Sequence, residues 1–359
     1  MKIAMYYLPQ TQVISLTTIT RQRYLPVPGQ VLVNVGDRVE PTTPVARAIL
    51  PGEYRILNVA SALGVRDSDA DKYLVKKVGQ QVKKGERIAV RRGLFFPRVC
   101  RAPADGFIAA SGGGRVLLET LSPLYEVLAH IKGRVVSLRP NYGVVIETVG
   151  ALVEGLWGTG DESTGVIKVL TESADEPLDA EKLTTEFGGA VMVGGLTADQ
   201  AALKQAAHIE ARGMVLGSLD ASLRAMAADL PFPLIVTEGM GRIPMAGPIF
   251  DLLKEYDGSE ASLSGKTSTR WGVVRPEIII PQPGKSAPPS QERRSLPPDI
   301  GLTVRIISQP YQGAVGVITD LPYWPQEVDS GARLKVARVD LGDEGVVSVP
   351  LANLELLRT

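Results

Sequence analysis

Apolar and polar positions alternate along the first third of the chain in a short pattern that occurs twice. The first copy occupies residues 33–46 and the second occupies residues 76–89. In each copy an apolar run reaches a glycine, and a valine, a polar turn and a second apolar run follow. This order predicts a strand, a tight turn and a strand, with the glycine supplying positive φ at low cost. The equivalent positions, 43 residues apart, are Val35 and Val78, Gly36 and Gly79, Val39 and Val82, Val45 and Ile88, and Ala46 and Ala89.

Two further turn-and-strand segments, residues 101–108 and 112–118, follow the second copy. Short strands with frequent turns favour a small sandwich or barrel. The Val-Gly-x-x-Val phrase of the repeat, followed by Pro-x-Asp-Gly-x-Ile at 103–108, resembles the barrel-sandwich hybrid of biotinyl and lipoyl domains. Relatives of that module also occur in electron-transport subunits and in the large subunits of RNA polymerase. The resemblance implies a β-rich module within residues 1–185.

Carrier members of that family display a modifiable lysine at a hairpin tip, flanked by Met or acidic residues. Here Lys76, Lys77, Lys83 and Lys84 lie inside or beside predicted strands, and no Met flanks them. We therefore expect a structural relative of the carriers, without covalent biotin or lipoate.

The apolar pattern changes near residue 186, where buried strands begin to alternate with helices. Thr197 and Gln200 have the spacing of a capping box at a helix start. Alternating strands and helices form right-handed βαβ units, so residues 186–280 are expected to form a parallel α/β domain. Strands are predicted at 190–193, 214–217, 233–237 and 271–280, and helices at 197–213, 220–229 and 248–256.

Ligands of parallel sheets bind beyond the carboxyl ends of the strands, where helix N-termini offer free N–H groups to an anion. The loop at 237–242 is the strongest candidate, with Glu238 and Arg242 as polar contacts. Any strand-to-helix connection also favours Gly and Thr, so a structural role is the alternative. The candidate ligand contacts are Gly195, Thr197, Ser218, Thr237, Glu238, Gly239, Gly241 and Arg242.

The order of strand, Gly-Ser turn, helix, Pro-x-Pro, strand and Thr-x-Gly in this domain resembles the swivelling phosphohistidine domains of phosphotransfer enzymes. The phosphorylated histidine of that family belongs in the turn near Ser218 or Ser222, whereas His208 lies in the preceding predicted helix. The resemblance therefore implies the scaffold and not the phosphotransfer chemistry.

Six prolines occur in residues 281–299, and this composition is typical of a semi-rigid linker, predicted over 281–300. The tail that follows, residues 301–359, resembles a KOW-type SH3-like barrel in its segments 301–306, 310–318, 337–341 and 347–355. Gly313 and Gly316 are expected to let a strand bend against its neighbour. KOW domains occur in transcription elongation factors and ribosomal proteins, so the resemblance implies RNA, the ribosome or RNA polymerase as context.

Charge changes the picture of the tail, which holds 5 Lys and Arg against 7 Asp and Glu. A negative balance disfavours tight binding to phosphates. Docking on a protein through Tyr311, Tyr323 and Trp324 fits better, since aromatic residues suit interface hot spots. The alternative is that these rings pack inside the barrel.

The whole chain is neutral, with 39 basic and 39 acidic residues, but residues 1–120 carry 18 basic against 9 acidic residues. This asymmetry indicates either an acidic partner or an acidic surface of the same chain. The densest basic region encloses Phe95 and Phe96, and such a mixture can bind nucleic acid. The alternative is a solvated face with both Phe side chains in the core. The candidate partner-binding residues of this region are Lys76, Lys77, Lys83, Lys84, Arg91 and Arg92.

Cys100 is the single cysteine, and His130 and His208 are the only histidines. No disulfide, metal site or cofactor is therefore expected. No apolar run reaches the length of a membrane span, and the start lacks the features of a signal peptide, so a cytoplasmic location is expected.

These patterns predict a multidomain α+β protein with a β-rich barrel-sandwich-hybrid-like region, a central parallel α/β domain, a linker and a small C-terminal β-barrel. The favoured functional hypothesis is a non-enzymatic cytoplasmic adaptor that docks on a large assembly through its tail. One alternative is an enzyme subunit or small-ligand sensor with an anion site at 237–242. The other is a nucleic-acid-binding protein that uses the basic region.

Overall fold

The computed structural model describes residues 7–93, 96–122, 124–268, 273–287, 297–328 and 330–358. Strands outnumber helices, and much of the chain joins one large mixed sheet, as expected for a β-dominated multidomain protein. Within these residues, no helix has both the length and the apolar composition needed to cross a membrane.

The first half contains thirteen strands in the described residues, and two short helices lie between β5 and β6. The strands are β1 Gln10–Tyr24, β2 Gln30–Val31, β3 Arg38–Val39, β4 Pro44–Ile49, β5 Tyr54–Asn58, β6 Gln81–Val82, β7 Arg87–Arg91, β8 Arg98–Arg101, β9 Gly106–Gly112, β10 Arg115–Thr120, β11 Leu124–Leu128, β12 Gly133–Arg139 and β13 Gly143–Glu154. The helices are α1 Val59–Leu63 and α2 Asp67–Ala70, followed by a 3-10 turn at Asp71–Tyr73.

The middle alternates strands with helices, as the sequence predicts. Its elements are β14 Trp157–Thr159, β15 Glu162–Val169, β16 Ala190–Val193, α3 Gln200–His208, β17 Gly213–Leu219, α4 Arg224–Ala228, β18 Leu234–Met240, α5 Gly247–Glu255, β19 Glu260–Ser264 and β20 Glu277–Pro281. Short 3-10 turns lie at Ala180–Lys182, Thr185–Phe187 and Ala221–Leu223.

The tail is a small set of antiparallel strands. They are β21 Thr303–Ile306, β22 Val315–Asp320, β23 Gln326–Glu327, β24 Arg333–Leu334, β25 Val336–Asp340, β26 Val346–Pro350 and β27 Leu354–Arg358, with 3-10 turns at Gly342–Glu344 and Leu351–Asn353. The close approach predicted at Gly316 is present, because a Cβ there would lie 2.3 Å from the carbonyl oxygen of Asp340.

The 43-residue repeat is a repeat of structure. β3 and β4 of the first copy correspond to β6 and β7 of the second, and Gly36 and Gly79 both have positive φ, +98° and +86°. Val39, Val45 and Ala46 are buried, as are their equivalents, whereas Val35 and its equivalent are both exposed. The segment before each glycine forms a turn rather than the predicted strand.

The hydrogen bonds of the turns also recur. Asp37 accepts a bond from the Asn34 N–H, and Gln80 accepts one from the Lys77 N–H, 43 positions later. Because Asp and Gln both supply a side-chain oxygen, the turn geometry persists although the residues differ.

The middle forms the parallel part of the large sheet. β15, β16, β17 and β18 run parallel to one another, while β19 and β20 return antiparallel and join β13. The predicted boundary at residue 186 falls inside this sheet, since β15 precedes it and pairs directly with β16.

β1 connects the three parts of the chain. It pairs antiparallel with β13 over most of its length and parallel with β27 at its start. One apolar core accordingly collects Val13, Val153, Val191, Ile278 and Leu357 from five different strands. The N-terminal strand, the parallel sheet and the tail therefore share a core.

Helix α3 is shorter than the predicted helix: it begins later, at Gln200, and ends earlier, at His208. The Asp199 side chain caps it by accepting a bond of 2.7 Å from the Ala202 N–H. Thr197, the predicted cap, is buried, and its carbonyl instead accepts a bond of 2.8 Å from the Leu178 N–H. The helix ends at His208 because Glu210 has a φ of +57°.

The predicted linker begins inside the fold. Pro281 ends β20, and buried Gln282 donates from its side chain to the carbonyl oxygen of Ser15, 2.8 Å away. The remainder of the linker prediction falls largely on residues 288–296, and part of the predicted strand at 271–280 falls on residues 271–272. Both segments lie outside the described residues.

Candidate functional site

The carboxyl ends of β16, β17 and β18, where ligand contacts are predicted, are covered by protein. Gly195, Thr197 and Thr237 are buried. Ser218 is fully buried, and its hydroxyl donates to the Leu196 carbonyl and accepts a bond of 2.8 Å from the Ile243 N–H. These polar groups face the interior of the protein.

Glu238, the main predicted ligand contact, is 5 % exposed and its carboxylate is fully engaged. One oxygen accepts a bond of 3.1 Å from the Ala246 N–H, and the other lies 2.8 Å from Nη1 of Arg305, on β21 of the tail. Gly239 is buried, Gly241 is half-buried and Arg242 is exposed. The loop is therefore closed over Glu238 by the tail.

Arg305 is the centre of a buried ionic cluster. Its Nη2 binds Glu355 on β27, which also accepts a bond of 2.6 Å from Arg275. Arg275 in turn donates to the hydroxyl of Thr11 on β1, 2.6 Å away. Burial would lower the pKa of Arg305, but the two carboxylates outweigh it and hold that pKa above its usual value. The cluster anchors the tail on the edge of the parallel sheet.

The predicted basic region lies on the surface of the second repeat copy. Lys77, Lys83, Lys84 and Arg92 are exposed. Two members are already engaged: Lys76 pairs with Glu86 at 2.6 Å, and Arg91 donates to the carbonyls of Leu63 and Gly64.

Of the two phenylalanines in this region, only Phe96 lies within the described residues. Phe96 is 84 % exposed, so the expectation that it packs in the core is wrong. Phe95 lies outside the described residues.

The predicted aromatic contacts of the tail lie at its surface. Tyr323 and Trp324 are 67 % and 71 % exposed, and Tyr311 is 36 % exposed. The idea that the first two rings pack inside the barrel is therefore wrong. They contact each other edge to face, with ring centroids 5.0 Å apart.

An open cleft lies where the first repeat copy meets the amino ends of the parallel strands. It has a volume of about 630 Å³ and is lined by β1, β11 and β15, with Arg212 and Lys266 from neighbouring loops. A second cleft of about 610 Å³ adjoins it and shares Asp161, Glu162, Ser163 and Arg212. Both clefts lie at the opposite edge of the parallel strands from the predicted loops.

Arg23 and Glu162 form the rigid wall of this cleft. Two guanidinium nitrogens of Arg23 each lie 2.7 Å from a carboxylate oxygen of Glu162, and Nε donates to the Leu128 carbonyl. Burial would raise the pKa of Glu162, but the bonds from Arg23 and the charge of Lys266 outweigh it and lower that pKa to about 2. Glu162 is therefore ionised and held in place.

His130 lines the same cleft and has an uncommon backbone conformation. Its φ is +65°, in the left-handed region that few non-glycine residues adopt. Its ring is 8 % exposed, with Nδ1 4.0 Å from Glu162 and Nε2 buried without a hydrogen-bond partner. Desolvation lowers the pKa of His130 to about 4, so the imidazole is neutral at pH 7.

No local motif around His130 predicts a role for it. A second offset within the repeat does single it out. The Ala129 N–H bonds the Thr43 carbonyl, and the Ala102 N–H bonds the equivalent Glu86 carbonyl. Residues 129–135 therefore match residues 102–108 at a spacing of 27, which sets His130 opposite Pro103. A proline cannot adopt positive φ, so the two copies differ in backbone at this position.

Within the described residues, no group of three or more His, Cys, Asp or Glu side chains is arranged to hold a metal ion. Comparison of the chain with known protein families and with curated protein sequences finds no match.

Proposed function

We propose that this protein is a non-enzymatic adaptor that docks on a protein partner through its C-terminal barrel. The observation that carries the proposal is the exposed pair Tyr323 and Trp324, which together present two large rings to solvent. Large aromatic side chains dominate the binding energy of protein interfaces. Exposure of two large rings to water is unfavourable in free energy, and a partner that covers the rings would remove this cost.

The aromatic pair is held in shape before any partner arrives. The Lys335 ammonium lies 5.1 Å from the centroid of the Tyr323 ring and donates to the Tyr323 carbonyl. The pair leads directly into the hairpin of β23 and β24. Because these contacts restrict the rings, docking costs less side-chain entropy than it would for free aromatic residues.

The anchoring of the tail supports the same function. Arg305 binds the tail to Glu238 of the parallel sheet, Glu355 binds Arg275 outside the tail, and β27 pairs with β1. A partner that binds Trp324 would therefore hold the sheet and the repeat module in a defined orientation. The negative balance of the tail favours a protein surface over a nucleic-acid backbone. The KOW resemblance favours a partner from the transcription or translation machinery.

The test is capture of partners from a cell lysate by the full chain, compared between variants. We expect ribosomal or polymerase proteins to be enriched by the wild type and lost by at least about tenfold with Trp324→Ala, a typical hot-spot loss. Tyr54→Ala is the matched control, because Tyr54 is a 61 % exposed aromatic residue outside the tail. Retention of the same partners by Trp324→Ala, or their loss from Tyr54→Ala, would contradict the proposal.

Two other functions predicted from the sequence stay predictions. Nucleic-acid binding by the basic region is supported by the exposure of Lys77, Lys83, Lys84 and Arg92. Affinity for an oligonucleotide should then fall steeply with added salt. Binding of an anion at residues 237–242 would require Arg305 to leave Glu238.

A further inference from the structure

The cleft beside His130 contains hydrogen-bond donors that the protein itself does not use. Among the described residues, no hydrogen bond or ion pair engages the guanidinium of Arg212, which lines both adjoining clefts. The hydroxyls of Thr42, Ser163 and Thr164 likewise have no partner there. Lys266 has one contact, 3.4 Å from Glu162. A ligand that enters this cleft therefore meets several free donors.

The cleft also contains carboxylates, which could act as acceptors. Both oxygens of Glu162 are occupied by Arg23, so this carboxylate adds little net negative charge inside the cleft. Asp161 and Glu126 also line the cleft and are exposed to solvent, as are Arg212 and Lys266, so water screens all four charges. The groups without a partner among the described residues, Arg212 and the half-buried hydroxyls of Ser163 and Thr164, therefore favour a ligand that supplies acceptors.

His130 forms a wall of this cleft in a conformation that its surroundings impose. Its N–H donates to the Pro41 carbonyl at 2.8 Å, and its carbonyl accepts a bond of 2.6 Å from the Ser262 hydroxyl. Non-glycine residues in the left-handed region are held there by their surroundings, and such residues concentrate at functional sites. The second repeat copy has Pro103 at the equivalent position. The two copies therefore differ in backbone conformation at a residue that lines the cleft.

We propose that this cleft binds a small oxyanion, either a carboxylate or a phosphate. Arg212 would present its guanidinium fork to two oxygens of the ligand, the geometry that suits carboxylates and phosphates. Lys266 and the hydroxyls of Ser163 and Thr164 would supply further donors, with the Arg23 and Glu162 pair as the fixed scaffold. A volume of about 630 Å³ suits a metabolite-sized molecule.

Isothermal titration of the full chain with inorganic phosphate, and separately with succinate, tests this proposal. We expect saturable binding in at least one arm, and the arm that responds identifies the oxyanion. Arg212→Gln should weaken binding by about tenfold or more, since a charge-assisted bond is lost. Asp161→Asn should strengthen it only slightly, by less than about fivefold, because the negative charge that it removes is exposed and screened by water. Arg66→Gln is the matched control, as Arg66 is exposed and lies outside both clefts.

Absence of saturable heat in both arms at millimolar concentration would overturn the proposal. Equal weakening by Arg212→Gln and Arg66→Gln would also overturn it, because it would indicate attraction to general surface charge. Trp324→Ala should bind the oxyanion like the wild type. The outcome is therefore independent of the proposed docking function.

Discussion

Nη1 of Arg305 lies 2.8 Å from a carboxylate oxygen of Glu238, although 67 residues separate them in the chain. Both side chains are at most 2 % exposed. The contact joins the tail to the carboxyl ends of the parallel strands, where ligands ordinarily bind. Glu238, the main predicted ligand contact, is thus part of the structural framework that holds the tail.

Removal of Arg305 should be strongly destabilising. In Arg305→Ala, Glu238 would remain buried without its cation and Glu355 would keep only Arg275, and leaving a buried charge unpaired typically costs about 3–5 kcal/mol. Urea denaturation should show this loss in the free energy of unfolding. Arg338→Ala is the matched control, because Arg338 is 55 % exposed and its nearest carboxylate, Asp320, is 3.7 Å away. Its cost should stay below about 1 kcal/mol, and similar losses for both variants would contradict the role of the cluster.

His130 should make the protein less stable in acid. The imidazole takes up its proton near pH 6.5 in the unfolded chain but near pH 4 in the folded protein. Stability from the neutral form is therefore present above pH 6.5 and is lost as the pH falls through 4. Between pH 7 and pH 4 the wild type should lose about 3 kcal/mol more than His130→Gln. Denaturation at both pH values measures this difference, and His208→Gln, which alters an exposed histidine, should behave like the wild type.

Two glycines should respond differently to the same substitution. Gly79→Ala meets no atom within 4 Å but must adopt a φ of +86°, which costs about 1–2 kcal/mol. Gly316→Ala would place its Cβ 2.3 Å from a backbone oxygen of the neighbouring strand. We expect the Gly316 variant to have the lower midpoint in thermal unfolding. Equal midpoints would show that β22 can move away from β25.

Truncation of Trp324 should separate binding from folding. The ring is 71 % exposed, so Trp324→Ala should change the free energy of unfolding by less than about 0.5 kcal/mol. Partner capture should nevertheless be lost. A large loss of stability would instead mean that the ring packs against the rest of the tail and is not available to a partner.

Local pattern was sufficient to predict much of the architecture. The 43-residue spacing predicted two equivalent units, and the alternation of strands and helices after residue 186 predicted the parallel strands β16, β17 and β18. These features depend on neighbouring residues: a glycine permits positive φ, and a run of Val and Ile favours a buried strand. Boundaries were less accurate: α3 begins at Gln200 with Asp199 as its cap, because the Thr197 carbonyl instead accepts a bond from the Leu178 N–H.

Long-range pairing determined the rest. Whether Glu238 faces a ligand or an arginine depends on where β21 packs, and nothing near Glu238 in the chain specifies that. The cleft at His130 assembles Arg23, Glu162 and Arg212 from distant segments, so no local motif marks it. The sequence by itself determined the repeat, the strands and the turns, because these follow from contacts between near neighbours. Only the tertiary structure decided which polar groups are buried against each other and which are left open, because that depends on how the sheet brings remote segments together.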